Sequence, residues 1–161
     1  MNDKKILIVY YSLQGNAREV AKAIQNASGG DIFELELTKP YSVVSAYALG
    51  SIHAMRGHGS ELKNQITNLH EYDTVFVGAP VWAYALTPPL VSFLKEYDLT
   101  DKTVIPFCTH GGNMGKYFEK FAESCPNADI AKSKGFLNVK SRGLDVLNQE
   151  VNEWLQQIQD S

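Results

Sequence analysis

The run Ile6-Leu7-Ile8-Val9-Tyr10-Tyr11 is apolar without alternation and opens directly into the polar, glycine-bearing stretch Ser12-Leu13-Gln14-Gly15-Asn16-Ala17. A strand with one wet face alternates polar and apolar residues. This one does not, so it belongs in a parallel sheet covered on both faces. Val20, Ile24 and Ala27 follow at helical spacing until Ser28-Gly29-Gly30 stops the helix. A strand buried on both sides and feeding a helix is the first half of a β-α-β unit, and the rest of the chain repeats that alternation.

Ile32 to Leu37 sets Glu34 and Glu36 opposite Phe33, Leu35 and Leu37, as an edge strand would. Thr74 to Gly78 is a third strand, and the helix after it opens at Thr87-Pro88-Pro89, where proline removes no needed donor. The fourth strand, Thr103 to Cys108, carries Pro106, and local distortion is expected there. A short helix from Met114 to Glu123, a strand near Phe136 to Val139 and a last helix striped by Leu147, Val151, Trp154, Leu155 and Ile158 complete the set. The expected fold is α/β: a doubly wound, five-stranded parallel sheet in the order 2-1-3-4-5 with helices on both faces. Residues 1–161 make one domain with an insert at about 38–60, longer than a crossover needs. In such sheets a ligand sits outside the carboxyl ends of the strands, where the winding reverses. The loops beginning at Ser12, Gly78 and Cys108 are therefore the candidates.

Composition narrows the partners. A net charge of −3 is no concentrated cationic face, so a nucleic-acid partner is not expected. Apolar runs are too short to cross a bilayer, and no signal-peptide pattern is present, so a soluble cytoplasmic domain without a membrane partner is expected. Cys108 and Cys125 make no disulfide framework, and His53, His58, His70 and His110 show no metal-ligand spacing, so no metal is expected.

In the first loop a glycine allows a tight turn, and successive N–H groups at a helix start cradle an anion. Asn16 with Glu19 three residues on is equally a capping box. The loop is neither a triphosphate-binding G-x-x-x-x-G-K-[ST] nor a dinucleotide-binding G-x-G-x-x-G. In the second, Trp82 and Tyr84 stand among small residues as a stacking wall for a planar ring, or as cover for the next helix. The third, Thr109-His110-Gly111-Gly112-Asn113-Met114-Gly115, has more glycine than one turn requires, which suits close approach of backbone to a ligand.

Ser12 to Ala17 resembles the phosphate loop of flavodoxins, and Gly78 to Trp82 and Pro106 to Gly112 resemble the flavin-facing loops of short flavodoxin-like proteins. The resemblance implies FMN as cofactor. Ser12, Gln14, Gly15, Asn16 and Ala17 would hold its phosphate. Pro80, Val81, Trp82, Ala83 and Tyr84 would pack along the ring, and Thr109, His110, Gly111, Gly112 and Gly115 would line its other side. Gln14 and Ala17 replace threonines usual in the family, and Arg18 adds a nearby positive charge. The implied function is redox: an NAD(P)H-dependent reductase of quinone-type acceptors. The alternatives are a flavodoxin-type electron carrier, served by a reductase protein and a protein acceptor, and a cofactor-free binding module. The insert and the modest charge favour the enzyme. The insert is expected either over the flavin, with Tyr41, His53 or Arg56 shaping a substrate pocket, or as a solvated or homodimer-forming helix. In carriers, the resemblance implies, a glycine after the third strand flips its peptide toward the half-reduced ring. No glycine lies between Gly78 and the helix here, and a Cβ disfavours positive φ, so two-electron chemistry is expected.

Overall fold

The computed structural model describes residues 4–161. β1 (Ile6–Tyr10) lies between β2 (Asp31–Glu34) and β3 (Thr74–Pro80), and β4 (Thr103–His110) adds to β3; every pairing is parallel. The order 2-1-3-4-5 is as expected, but the fifth position is divided. β5 (Asp129–Ile130) pairs with Thr103 and Val104, and β6 (Lys134–Leu137) pairs with Phe107 to His110, giving six strands.

Pro106 accounts for the division. Val104 and His110 both turn their carbonyls toward the fifth position, accepting from Ala131 and Asn138. Alternate residues share a direction, so Pro106 faces that side too and has no N–H to give it. The gap at 131–133 falls beside it. β4 itself runs unbroken, so the expected distortion lies in its neighbour.

α1 (Asn16–Ser28) ends where Gly29 takes φ 75° and donates to the Gln25 carbonyl at 2.8 Å, as the glycine pair predicts. α1 and α6 (Leu144–Gln159) cover one face through Val20, Ile24, Val151 and Trp154 against Ile6, Ile8, Phe76 and Ile105. α3 (Pro88–Glu96) and α4 (Tyr117–Ser124) cover the other through Leu90, Phe93, Tyr117 and Phe121 against Leu7, Val9, Val75 and Val77. Each such fully buried side chain stabilises the fold by about 1.5–3 kcal/mol. The helices change face between β1 and β3, which opens a crevice at that point.

The expected edge strand is shorter than Ile32 to Leu37. Past Glu34 the Leu35 N–H still reaches the Tyr10 carbonyl, and Leu37 then pairs antiparallel with Leu62. The insert forms a helical segment at 43–55, here α2. Its turns are α (Val43–Ser45), π (Ala46–Gly50) and α again (Ser51–Met55), started by Ser42 and Ser45 capping each other. The four-residue α5 (Val139–Arg142) follows β6, so Val139 begins a helix where a strand was expected. No helix among the described residues is long and apolar enough to cross a membrane.

Candidate functional site

The first loop turns on Gly15, which takes φ 96° as the residue before α1 and supplies no side-chain cap. Ser12 Oγ accepts the Gly15 N–H at 3.0 Å, leaving its own proton to donate. The N–H groups of Asn16, Ala17 and Arg18 have no acceptor among the described residues. They are first-turn donors with the helix dipole behind them, a setting that suits an anion. The capping-box alternative does not hold. Asn16 Oδ1 accepts instead from the Lys140 N–H at 3.3 Å, joining the loop to α5. Arg18 is not a free charge either, because its guanidinium pairs with Glu34.

The second loop is a two-residue turn. Trp82 and Ala85 exchange backbone bonds of 3.3 and 2.9 Å, while Ala83 and Tyr84 sit at φ 49° and 60°. This turn favours Asn-Gly, and a Cβ in the left-handed region costs roughly 1–2 kcal/mol per residue. Lys116 N–H bonds the Tyr84 carbonyl at 3.1 Å, and Gly115, itself at φ 54°, leaves room that a Cβ would take 2.3 Å from Tyr84 Cβ. Without glycine the loop was expected to avoid positive φ. It adopts it at two side-chain-bearing residues, because its neighbours hold it there.

Trp82 stands edge-on to Tyr11 (5.8 Å between centroids) and to Tyr41 (5.2 Å). Beneath it is Gly50, where a Cβ would lie 2.7 Å from Trp82 Cζ3. The Tyr41 hydroxyl is 2.8 Å from His53 Nδ1. In the third loop, His110 Nδ1 accepts the Gly112 N–H at 3.1 Å, which puts the proton of the neutral ring on Nε2. Partial burial holds His110 below its ordinary value, so the ring is neutral near pH 7. Burial pushes the Cys108 thiol up to about 12, so it is no nucleophile.

These loops enclose a cavity of about 390 Å³ at the carboxyl end of the sheet. Of the predicted residues, Gln14, Asn16, Pro80, Val81, Trp82, Ala83, Thr109, His110 and Gly111 line it. Ser12 and Ala17 line an adjoining hollow of about 40 Å³. Gly15, Gly112 and Gly115 shape the backbone behind it, and Tyr84 points its ring to solvent. Sequence reasoning missed Leu13 in the first loop, Val43, Ala46, Tyr47 and Ser51 of α2, and Asn138 and Val139 after β6. The last two follow a carboxyl strand end, and the switch-point rule applied to that strand would have found them. The insert does wall the cavity, but Tyr41 and His53 stand behind Trp82, and neither they nor Arg56 line it.

A doubly wound parallel sheet in the order 2-1-3-4-5, with open amides at its switch point, places the chain in the flavodoxin-like class of α/β proteins with an anion-binding setting at that point. The family model described as Flavodoxin matches residues 5–158, and the chain belongs to that family. No curated protein matches the sequence. Among solved structures, a candidate flavoprotein from Bacteroides eggerthii is 26% identical, with 97% of this chain and 98% of that one covered and a TM-score of 0.80. A flavoprotein from Lactobacillus acidophilus in complex with FMN is 22% identical, covering 82% of this chain and 93% of its own, at a TM-score of 0.70. A Fusobacterium nucleatum flavodoxin bound to flavin mononucleotide is 11% identical over 98% of each chain, at a TM-score of 0.59. The last two likenesses concern the fold. FMN, the cofactor that the resemblance implies, is the one they hold.

Proposed function

We propose that this chain binds FMN in the cavity at the carboxyl end of the sheet and serves as an NAD(P)H-dependent reductase of quinone-type acceptors. The residues fit the cofactor. The volume of about 390 Å³ lies within the range of small-molecule sites. The uncommitted amides of Asn16 to Arg18 and the Ser12 hydroxyl suit a phosphate, and Pro80, Val81 and Trp82 give an apolar wall for a planar ring. FMN, when bound, supplies the electron-accepting and electron-donating centre. The protein orients it, keeps water from it and presents a neutral imidazole at His110.

The observation that carries the enzymatic half is α2. Val43, Ala46, Tyr47 and Ser51 add a wall that the sheet loops alone do not provide, and no Asp, Glu, Lys or Arg occurs from Tyr41 to Met55. An uncharged aromatic acceptor is compatible with that wall. A carrier that docks on basic partners gains from a strong acidic field, which a net charge of −3 does not supply. The left-handed residues at 83 and 84 remove the argument from a glycine-free loop, so the reading rests on the wall. The test is reconstitution with FMN, then NADH and NADPH oxidation against a panel of quinones. Steady turnover with quinones supports the reading; reduction only through a partner reductase protein favours the carrier, and failure to retain any flavin favours the binding module.

A further inference from the structure

We infer that Lys140 is the cation that selects a phosphorylated flavin, holding the FMN phosphate from outside the loop that cradles it; this rests on the FMN reading above. Lys140 lies in α5, 126 residues from Gln14, yet its Nζ donates to the Gln14 carbonyl. A Cβ on Gly15 would lie 2.8 Å from that Nζ and 3.1 Å from Cε, so the ammonium rests against the bend of the cradle. The Lys140 N–H bonds Asn16 Oδ1, which fixes the start of α5 to the same loop.

Charge accounting singles it out. A phosphate monoester carries about −1.5 to −2 near pH 7. Ser12 supplies the loop's sole hydroxyl, and Ala17 supplies none. Arg18 is paired with Glu34 and Arg142 with Glu150. Lys140 has no carboxylate within ion-pair distance among the described residues; it meets a backbone carbonyl, and an ammonium has three N–H donors to share. One donor on Gln14 leaves two for a phosphate oxygen. A point charge on a flexible stem can hold both at once.

The test compares FMN with riboflavin, which lacks only the phosphate, by quenching of flavin fluorescence on the apo-protein. For Lys140→Gln the affinity for FMN is expected to fall about tenfold, the scale of one partly exposed charged hydrogen bond. Riboflavin affinity is expected to stay unchanged. Lys140→Arg should recover most of the loss, and raising salt should shrink the wild-type preference for FMN over riboflavin. Unchanged FMN affinity in Lys140→Gln, or an equal fall for both flavins, would overturn the assignment, the second by showing a structural role. If the unaltered apo-protein binds neither flavin, the FMN reading fails and this inference with it.

Discussion

The two ends of the cavity are built differently. At the cradle end, the loop 11–17 is pinned between a fully buried strand and the 13-residue α1, and it is tied across the molecule to α5 through Asn16 and Lys140. At the other end, α2 buries only Ala46, Gly50 and Ala54, with Gly50 seated against Trp82 and Tyr41. Its Val44, Tyr47 and Met55 are 77%, 80% and 67% exposed. A rigid end suits a group that must stay, since a fixed cradle loses no entropy when it is filled. An exposed helix with a π turn suits ligands that come and go, because few contacts resist its movement. The comparison teaches which end should be intolerant of change.

The largest effect is expected at the rigid end. Gly15→Val forces a β-branched side chain to φ 96° and into Lys140, with strain of about 1–3 kcal/mol before any lost contact to phosphate. The variant should lose FMN on a desalting column while the apo-chain keeps a cooperative melt. Retention at the wild-type level would break the contrast.

Next comes Gly50→Ala, where two effects oppose. Alanine is the better helix former by about 1 kcal/mol. Yet its Cβ would stand 2.7 Å from Trp82, and overpacking costs typically 1–3 kcal/mol. We expect net destabilisation in denaturant melts; a stabilised variant would show that α2 yields even where it touches Trp82. Trp82→Ala should weaken FMN by about 1 kcal/mol, the scale of an aromatic contact, with brighter bound-flavin fluorescence. Unchanged fluorescence would reduce Trp82 to cover for its neighbours.

The smallest effect concerns His110. Its folded value lies below the ordinary 6.5, so between the two the unfolded chain binds more protons. Its contribution to stability is therefore whole above about pH 6.5 and is lost as pH falls through that window. NMR titration should show its imidazole titrating below the ordinary histidine value of 6.5.

What could be read from sequence follows the same division. The unalternating run at Ile6, the glycines at 29 and 30 and the stripe through Trp154 are local signals of burial and period, and with the edge pattern at Ile32 to Leu37 they made the strand order legible. That the insert covers the cavity was one of two expectations, but its lining residues Val43, Ala46 and Tyr47 were hidden, because α2 is seated by Gly50 against Trp82, a long-range approach that no local spacing encodes. Lys140 was hidden for the same reason, 126 residues from its partner. The turn at Ala83 and Tyr84 defied propensity because Gly115 and Lys116, about thirty residues on, hold it in place.

The central claim is that the cradle and the cavity together hold one FMN. Equilibrium titration of the apo-chain with FMN, followed by flavin fluorescence, tests it most directly. The account predicts saturation at one FMN per chain with quenched emission, and weaker binding of FAD, whose second phosphate and adenosine find no second cradle among the described residues. Emission that stays bright and never saturates, or tighter binding of FAD, would contradict it.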